Sequence, residues 1–375
     1  MLIVFFGLLF ASAVISASDR DIGSFPFSCM DQSNRPVDWF AAYKLPHLKT
    51  SPHPHVANGT GFLYTDVNNK QWQLSSVGLE LSNQALAYTL QQFYDRANDP
   101  TVFHLMYNDE HPLDGPWSET LGHTKGVLFF NQLQGIWLVH SVPKFPQNTS
   151  YAWPSNAYYY GQSMLCITFS YSQLGDIATQ LYYNTPFIYS SALPTSIAQA
   201  IPTLAQVIAG RYQSTAPYNR QVTLKSLGGQ SFVSFAKAGG FQRDLYYDFV
   251  APSLLASFNT ETWQHGGGNL MSWCYTTHPY QVHNIESISL PFGINFSNYD
   301  DHSKFAVSSW TQNEVPNPWV CIGDINRQQH QMFRGGGTVC IQDRQIWTIY
   351  NSAVAATWPC TGSPSDDVEE SNSVW

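Results

Sequence analysis

Apolar positions along this chain fall into short blocks rather than long runs. The blocks "GVLFFNQ", "GIWLVHSV", "MLCITFSY", "SISLPFGI", "FAVSSW", "WVCIGDI" and "QIWTIYNSAV" are rich in aromatic and β-branched residues. Such side chains pack well on a pleated surface, so each block predicts a buried strand. Between them the period lengthens. "SNQALAYTLQQFYDRA" puts Leu86, Leu90 and Phe93 on one helical face, with Ser82 as its expected cap. "PTSIAQAIPTLAQVIAG" and "DLYYDFVAPSLLASF" predict two further helices, interrupted at Pro202 and Pro252. Strands alternating with helices give an α/β fold built in layers.

One device occurs twice. "LGHTKGVLFF" and "NYDDHSKFAV" each place His-x-Lys directly before an apolar block, about half a chain length apart. The downstream segments match in order as well. After His123 come "GIWLVHSVP" and "GQSMLCITF"; after His302 come "PWVCIGDINR" and "GGGTVCIQD". Matching surroundings predict a duplicated α/β unit, with halves at residues 18–195 and 196–360.

The first residues, "MLIVFFGLLFASAVISAS", carry no charge before Asp19 and fade into small residues, which predicts a signal peptide over 1–17. No later segment has the length and apolarity of a membrane span. Export is consistent with three sequons, at Asn58, Asn148 and Asn295. The six cysteines (Cys29, Cys166, Cys274, Cys321, Cys340 and Cys360) form no C-x-x-C pair, so three disulfides are expected rather than a zinc ribbon. Their spacing does not choose among the pairings. Residues 361–375 are polar and acidic and read as a flexible tail.

Charged residues are scarce, at 11%, and the net charge is −9 with 12 His counted as neutral. Protonating those histidines carries the chain toward positive values, so a polyanion is repelled at neutral pH and tolerated in acid.

Against that sparse background the clustered charges at the two repeats stand out. On a strand, residues i and i+2 share a face, so His123 would project with Lys125 and His302 with Lys304. Two such units face to face would gather two imidazoles and two ammonium groups around one phosphodiester. The lysines would neutralise charge that builds up on the non-bridging oxygens. One imidazole would attack phosphorus and the other protonate the departing oxygen. This chemistry requires no metal or cofactor, and no His or carboxylate motif looks able to hold one. The H-x-H of His53 and His55 lacks a third ligand, and "HGGGN" and "RGGGT" lack the spacing of a phosphate loop. Asp300 reads as a solvated turn residue, and Asp301 as equally turn or site.

Paired His-x-Lys halves resemble the phospholipase D superfamily. The closer resemblance is to the deoxyribonuclease II family. It is carried by "PVDWFAAYKLP", "MYNDE", "GHTKGV", "WLVHSVPKFP", "SISLPFG", "DHSK" and "CIGDINR", which span most of the chain in that family's order. The resemblance implies two phospholipase D-like α/β/α halves forming a pseudo-dimer in one chain. It also implies a lysosomal or secreted, metal-independent endonuclease that acts on DNA in acid and leaves 3′-phosphate ends. The implied disulfides are Cys29–Cys166, Cys274–Cys360 and Cys321–Cys340, and the family's essential histidine falls on His302.

The chain departs from the superfamily's H-x-K-x4-D, which wants carboxylates where this chain has Phe130 and Ser309. Asn131 follows in the first half. Downstream, Gly323-Asp324-Ile325-Asn326 is similar to the superfamily's G-S-x-N, whereas the first half has His140-Ser141. Asp324, Asn326 and His140 are therefore the expected substrate-binding residues, and the asymmetry predicts that the two histidines differ in role. Two other readings stay open: a phosphodiesterase for another substrate, and a secreted nucleic-acid-binding protein without catalysis. Oligomeric state is left open as well.

Overall fold

The computed structural model describes residues 26–264, 266–274, 279–309 and 317–360. The expected signal peptide, His265 of "HGGGN" and the acidic tail lie outside the described residues.

Two large sheets divide the chain. In the first, β1 (Trp39–Lys44), β2 (Phe103–Tyr107), β3 (Gly126–Phe130), β4 (Gln134–His140) and β5 (Gln162–Ser170) lie in the order β2-β3-β4-β5-β1. The second contains β6 (Ser231–Lys237), β7 (Ser257–Glu261), β8 (Phe305–Ser309), β9 (Trp319–Gly323) and β10 (Gly336–Gln342), in the order β7-β8-β9-β10-β6. The orders correspond strand for strand, as a duplicated unit requires, and every pair within both runs is antiparallel. Among the described residues only the second sheet adds a parallel neighbour, Val282–Leu290 beside β7.

One shared core joins the sheets. Trp39, Leu128 and Ile167 of the first pack in the same cluster as Phe305, Val320 and Ile341 of the second. Each fully buried apolar side chain contributes about 1.5–3 kcal/mol, so parting the halves would forfeit much of the core. The outer faces are covered by α1 (Ala85–Tyr94) on the first sheet and by helical turns over Tyr246–Leu254 on the second. Helix α2 (Leu174–Asn184) crosses between units, and its Gln180 amide donates to the Ser234 carbonyl at 2.9 Å.

Most predicted elements form, with two corrections. Leu86, Leu90 and Phe93 are buried as expected, but the cap of α1 is Gln84 rather than Ser82. Its buried side-chain oxygen accepts from Leu86 N–H at 2.7 Å, a longer side chain doing the work expected of the serine. "QIWTIYNSAV" is not a strand. Residues Arg344–Asn351 form a helix capped by Asp343, because Ile346, Ile349 and Tyr350 recur at helical spacing and bury one face. Pro202 does break its segment, into α3 (Thr195–Ala200) and α4 (Pro202–Ile208).

The disulfides are Cys29–Cys166, Cys274–Cys360 and Cys321–Cys340, as the resemblance implied. Asn58, Asn148 and Asn295 are all exposed. No helix among the described residues is long and apolar enough to cross a membrane.

Candidate active site

Both His-x-Lys units sit just ahead of strands, not on them. His123 and Lys125 immediately precede β3, and His302 and Lys304 precede β8. The backbone stays tied to the next strand even so: His140 N–H donates to the Lys125 carbonyl at 3.3 Å, and Gly323 N–H to the Lys304 carbonyl at 2.9 Å. His140 and Gly323 therefore hold equivalent places, as do Ser141 and Asp324. Ser163 N–H donates to Ser141 Oγ at 2.9 Å, and Gly337 N–H to Asp324 Oδ1 at 3.1 Å.

Each histidine is held by the opposite half. His302 N–H donates to the Gly161 carbonyl at 2.9 Å, and His123 N–H to the Gly335 carbonyl at 3.0 Å. A side chain on Gly161 would strike the Asp301 carboxylate at 2.2 Å, and one on Gly335 the Asn184 carbonyl at 2.3 Å. Close approach, not unusual backbone angles, requires glycine at both positions.

Around the rings the symmetry breaks. Tyr107 pairs with Gly126 as Glu261 pairs with Phe305, so Asp109 and Trp263 are equivalent. Lys44 pairs with Gln162 as Lys237 pairs with Gly336, so Tyr160 and Arg334 are equivalent. His123 accordingly has charged neighbours. Asp109 Oδ2 is 3.9 Å from its Nε2, Lys125 Nζ bonds the other Asp109 oxygen, and Arg334 reaches Asp109 at 3.3 Å. His302 instead lies flat on Tyr160, with centroids 3.9 Å apart, and 4.8 Å from the Trp263 ring.

The partners fix the charge states. His123 Nδ1 donates to the Asp324 carbonyl at 2.5 Å, which leaves Nε2 with its lone pair. Burial, reinforced by Lys125 and opposed by Asp109, holds this imidazole well below its ordinary pKa. Burial would raise Asp109, but Lys125 and His123 outweigh it and keep the carboxyl far below the usual range. Lys304, whose Nζ bonds the His302 carbonyl, is lowered to about 7 by burial and by Lys125.

Three buried carboxyls sit behind the lysines. Asp324 accepts from Thr124 Oγ1, and burial raises it to about 6. Asp301 accepts from the Tyr43 hydroxyl and from Ser303 N–H at 2.9 Å, and burial raises it too. Glu261, fully buried and with neither oxygen bonded among the described residues, is raised well above the carboxylate range by burial and then by Asp301.

A cleft of about 670 Å3 opens at the His123 end of this arrangement, lined by Asp109, Trp117, His123, Trp263, Asn326 and Arg334 among others. The structure thus brings Asn326 to the cleft wall. It places His140 and Asp324 behind the site: His140 is wholly buried, with Nδ1 accepting from Val142 N–H at 3.2 Å. Asp300 is exposed, whereas Asp301 is buried. Phe130 is core, and Asn131 Oδ1 accepts from Leu133 and Gln134 N–H in the turn after β3. The carboxylate beside His123 is Asp109, whose only sequence signal was its place in "MYNDE". Tyr160, Trp263 and Arg334 had none. Among the described residues the group closest to a metal set is Cys274, His283 and Cys360, and its sulfurs are joined to each other.

Comparison with known proteins gives the chain's relatives. The family model described as Deoxyribonuclease II matches residues 28–360. The chain is 45% identical over 350 residues to cell death-related nuclease 6 of Caenorhabditis elegans, covering 92% of each chain. It is 43% identical to plancitoxin-1 of Acanthaster planci, covering 89% of this chain and 92% of the relative. To deoxyribonuclease-2-alpha of Rattus norvegicus it is 38% identical, covering 89% and 94%.

Proposed function

The chain belongs to the deoxyribonuclease II family, and on that premise we propose that it is an acid, metal-independent endonuclease. In this reading it cleaves DNA to 3′-phosphate ends, in lysosomes or after secretion. The observation that carries the reading is the pair of His-x-Lys units, each histidine held by the other half, with His123 tied through Nδ1 and its Nε2 lone pair retained.

His123 Nε2 attacks phosphorus. The N–P bond forms as the P–O5′ bond breaks, and His302 gives its proton to the departing O5′. Water then transfers a proton to His302 and attacks phosphorus, the N–P bond breaks, and the phosphate stays on O3′. Lys125 and Lys304 each spend one donor on protein and keep others for the non-bridging oxygens. Those ammonium groups do the charge neutralisation for which other phosphodiesterases use a metal. Acid favours the reaction in two ways: it keeps Lys304 charged and moves the chain's net charge toward that of a DNA binder. Three disulfides and the exposed Asn148 and Asn295 sequons support export.

The test is plasmid cleavage from pH 4 to 8 with and without EDTA, for wild type and for His302→Ala and His123→Ala. Each variant should lose on the order of 100-fold or more in rate while circular dichroism stays unchanged. A phosphorylated intermediate trapped by an alkaline denaturing quench, which preserves the N–P bond, should map to the His123 peptide. Loss of activity with EDTA that Mg2+ restores would overturn the proposal.

A further inference from the structure

Two buried lysines outside the His-x-Lys units repeat the internal symmetry. Lys44 ends β1 and Lys237 ends β6, at equivalent register positions. Both are at most 1% exposed, and neither forms an ion pair among the described residues. Lys44 Nζ donates to the carbonyls of Tyr158 at 2.8 Å and Tyr160 at 2.7 Å. Lys237 Nζ donates to those of Gln331, Met332 and Arg334, at 2.9, 3.0 and 2.6 Å. A buried ammonium is costly, and here its hydrogen bonds go to main-chain oxygens of one short segment.

Those loops have one thing in common. The residue after the last bonded carbonyl is Gly161 in one and Gly335 in the other, and these two accept the backbone N–H of His302 and His123 from the opposite half. The last bonded residues themselves, Tyr160 and Arg334, are the side chains that stack on His302 and grip Asp109 beside His123. We propose that Lys44 and Lys237 are paired positioning residues, each pinning the loop that its own half lends to the other half's catalytic histidine. Lys44 thereby serves His302, and Lys237 serves His123. Apolar residues of similar size would fill the space but leave those carbonyls without donors.

Charge state agrees with an enzyme that works in acid. Burial lowers Lys44 to about 7, with Asp301 opposing, and lowers Lys237 to about 7, with Asp244 opposing and Arg334 reinforcing. Both pins are therefore fully charged in acid, and they lose a proton as pH rises through neutrality.

The inference rests on the two-histidine reading, and the experiment keeps the two apart. Full-length Lys44→Met, Lys237→Met, Tyr160→Leu, Arg334→Met and the doubles that combine each lysine variant with Tyr160→Leu and with Arg334→Met are assayed on an oligonucleotide substrate at pH 5. Secretion yield and melting temperature are measured alongside. Lys44→Met should lower kcat on the order of tenfold with KM within about twofold. Combined with Tyr160→Leu it should lose little more, because both act on one contact; combined with Arg334→Met the losses should multiply. Lys237→Met should show the reverse pattern. Wild-type kcat in Lys44→Met, or multiplying losses with Tyr160→Leu, would overturn the inference. Should the methionine variants not be secreted, Lys44→Gln and Lys237→Gln keep two N–H donors, and the same couplings are read from them. Retained activity in His302→Ala would sink the two-histidine reading instead.

Discussion

Tyr160 lies on the His302 ring with the planes only 10° apart, and it reaches there from the other half of the chain. Tyr160→Leu should remove this stacking and leave the fold intact, since the tyrosine is 37% exposed. We expect kcat to fall on the order of tenfold, consistent with ~1 kcal/mol for an aromatic contact, and the melting temperature to stay put. Unchanged turnover would show that His302 needs no ring beneath it.

Asp109 is the hinge of the other end. Asp109→Asn would leave Lys125 and Arg334 as buried cations without their carboxylate. Breaking such a pair typically costs about 3–5 kcal/mol. Denaturant unfolding should therefore show a loss on the order of 3 kcal/mol, together with sharply reduced cleavage. A variant as stable as wild type would mean that Asp109 does not hold those cations in place.

The alkaline side of the pH profile should follow Lys304. Its pKa near 7 means that the ammonium is present in acid and lost as pH rises through that value. In kcat/KM, which reports the free enzyme, the descending limb should lie near neutrality. In kcat it should move upward, because bound phosphate favours the charged lysine. A profile still rising at pH 8 would contradict this.

Stability should respond to His140. Burial, reinforced by Lys125, lowers its pKa to about 3. Above the unfolded value of ~6.5 both states are neutral and the residue is without effect. Below that value the unfolded chain takes a proton that the folded one refuses, so stability drains between ~6.5 and about 3. Glu261, Asp301 and Asp324, all raised, act in the opposite sense and favour the fold as pH falls. His140→Asn keeps an acceptor for Val142 N–H and cannot titrate. Its melting temperature should fall several degrees less than that of wild type between pH 7 and 4; parallel curves would discount His140.

The parts of the site that were legible in the sequence are those written locally. The two His-x-Lys units announce themselves because the same tripeptide precedes the same kind of block twice. What was illegible is written in register. Asp109, Tyr160, Trp263 and Arg334 meet the histidines through strand pairing and cross-half packing, and apart from the place of Asp109 in "MYNDE" nothing in their own neighbourhoods marks them. Residues Arg344–Asn351 were misread for a different reason. Their branched and aromatic side chains suit a strand, and the helical spacing of Ile346, Ile349 and Tyr350 was masked by the residues between.

The unequal surroundings of the two histidines bear on what the chain can do with another copy of itself. Two first halves brought together would set Tyr160 against His123 and leave Asp109 without its arginine. Two second halves would set Arg334 beside Trp263, with no carboxylate to meet it. Like pairs are thus mismatched and unlike pairs matched, so swapping units between chains restores a working centre only when each receives the half it lacks.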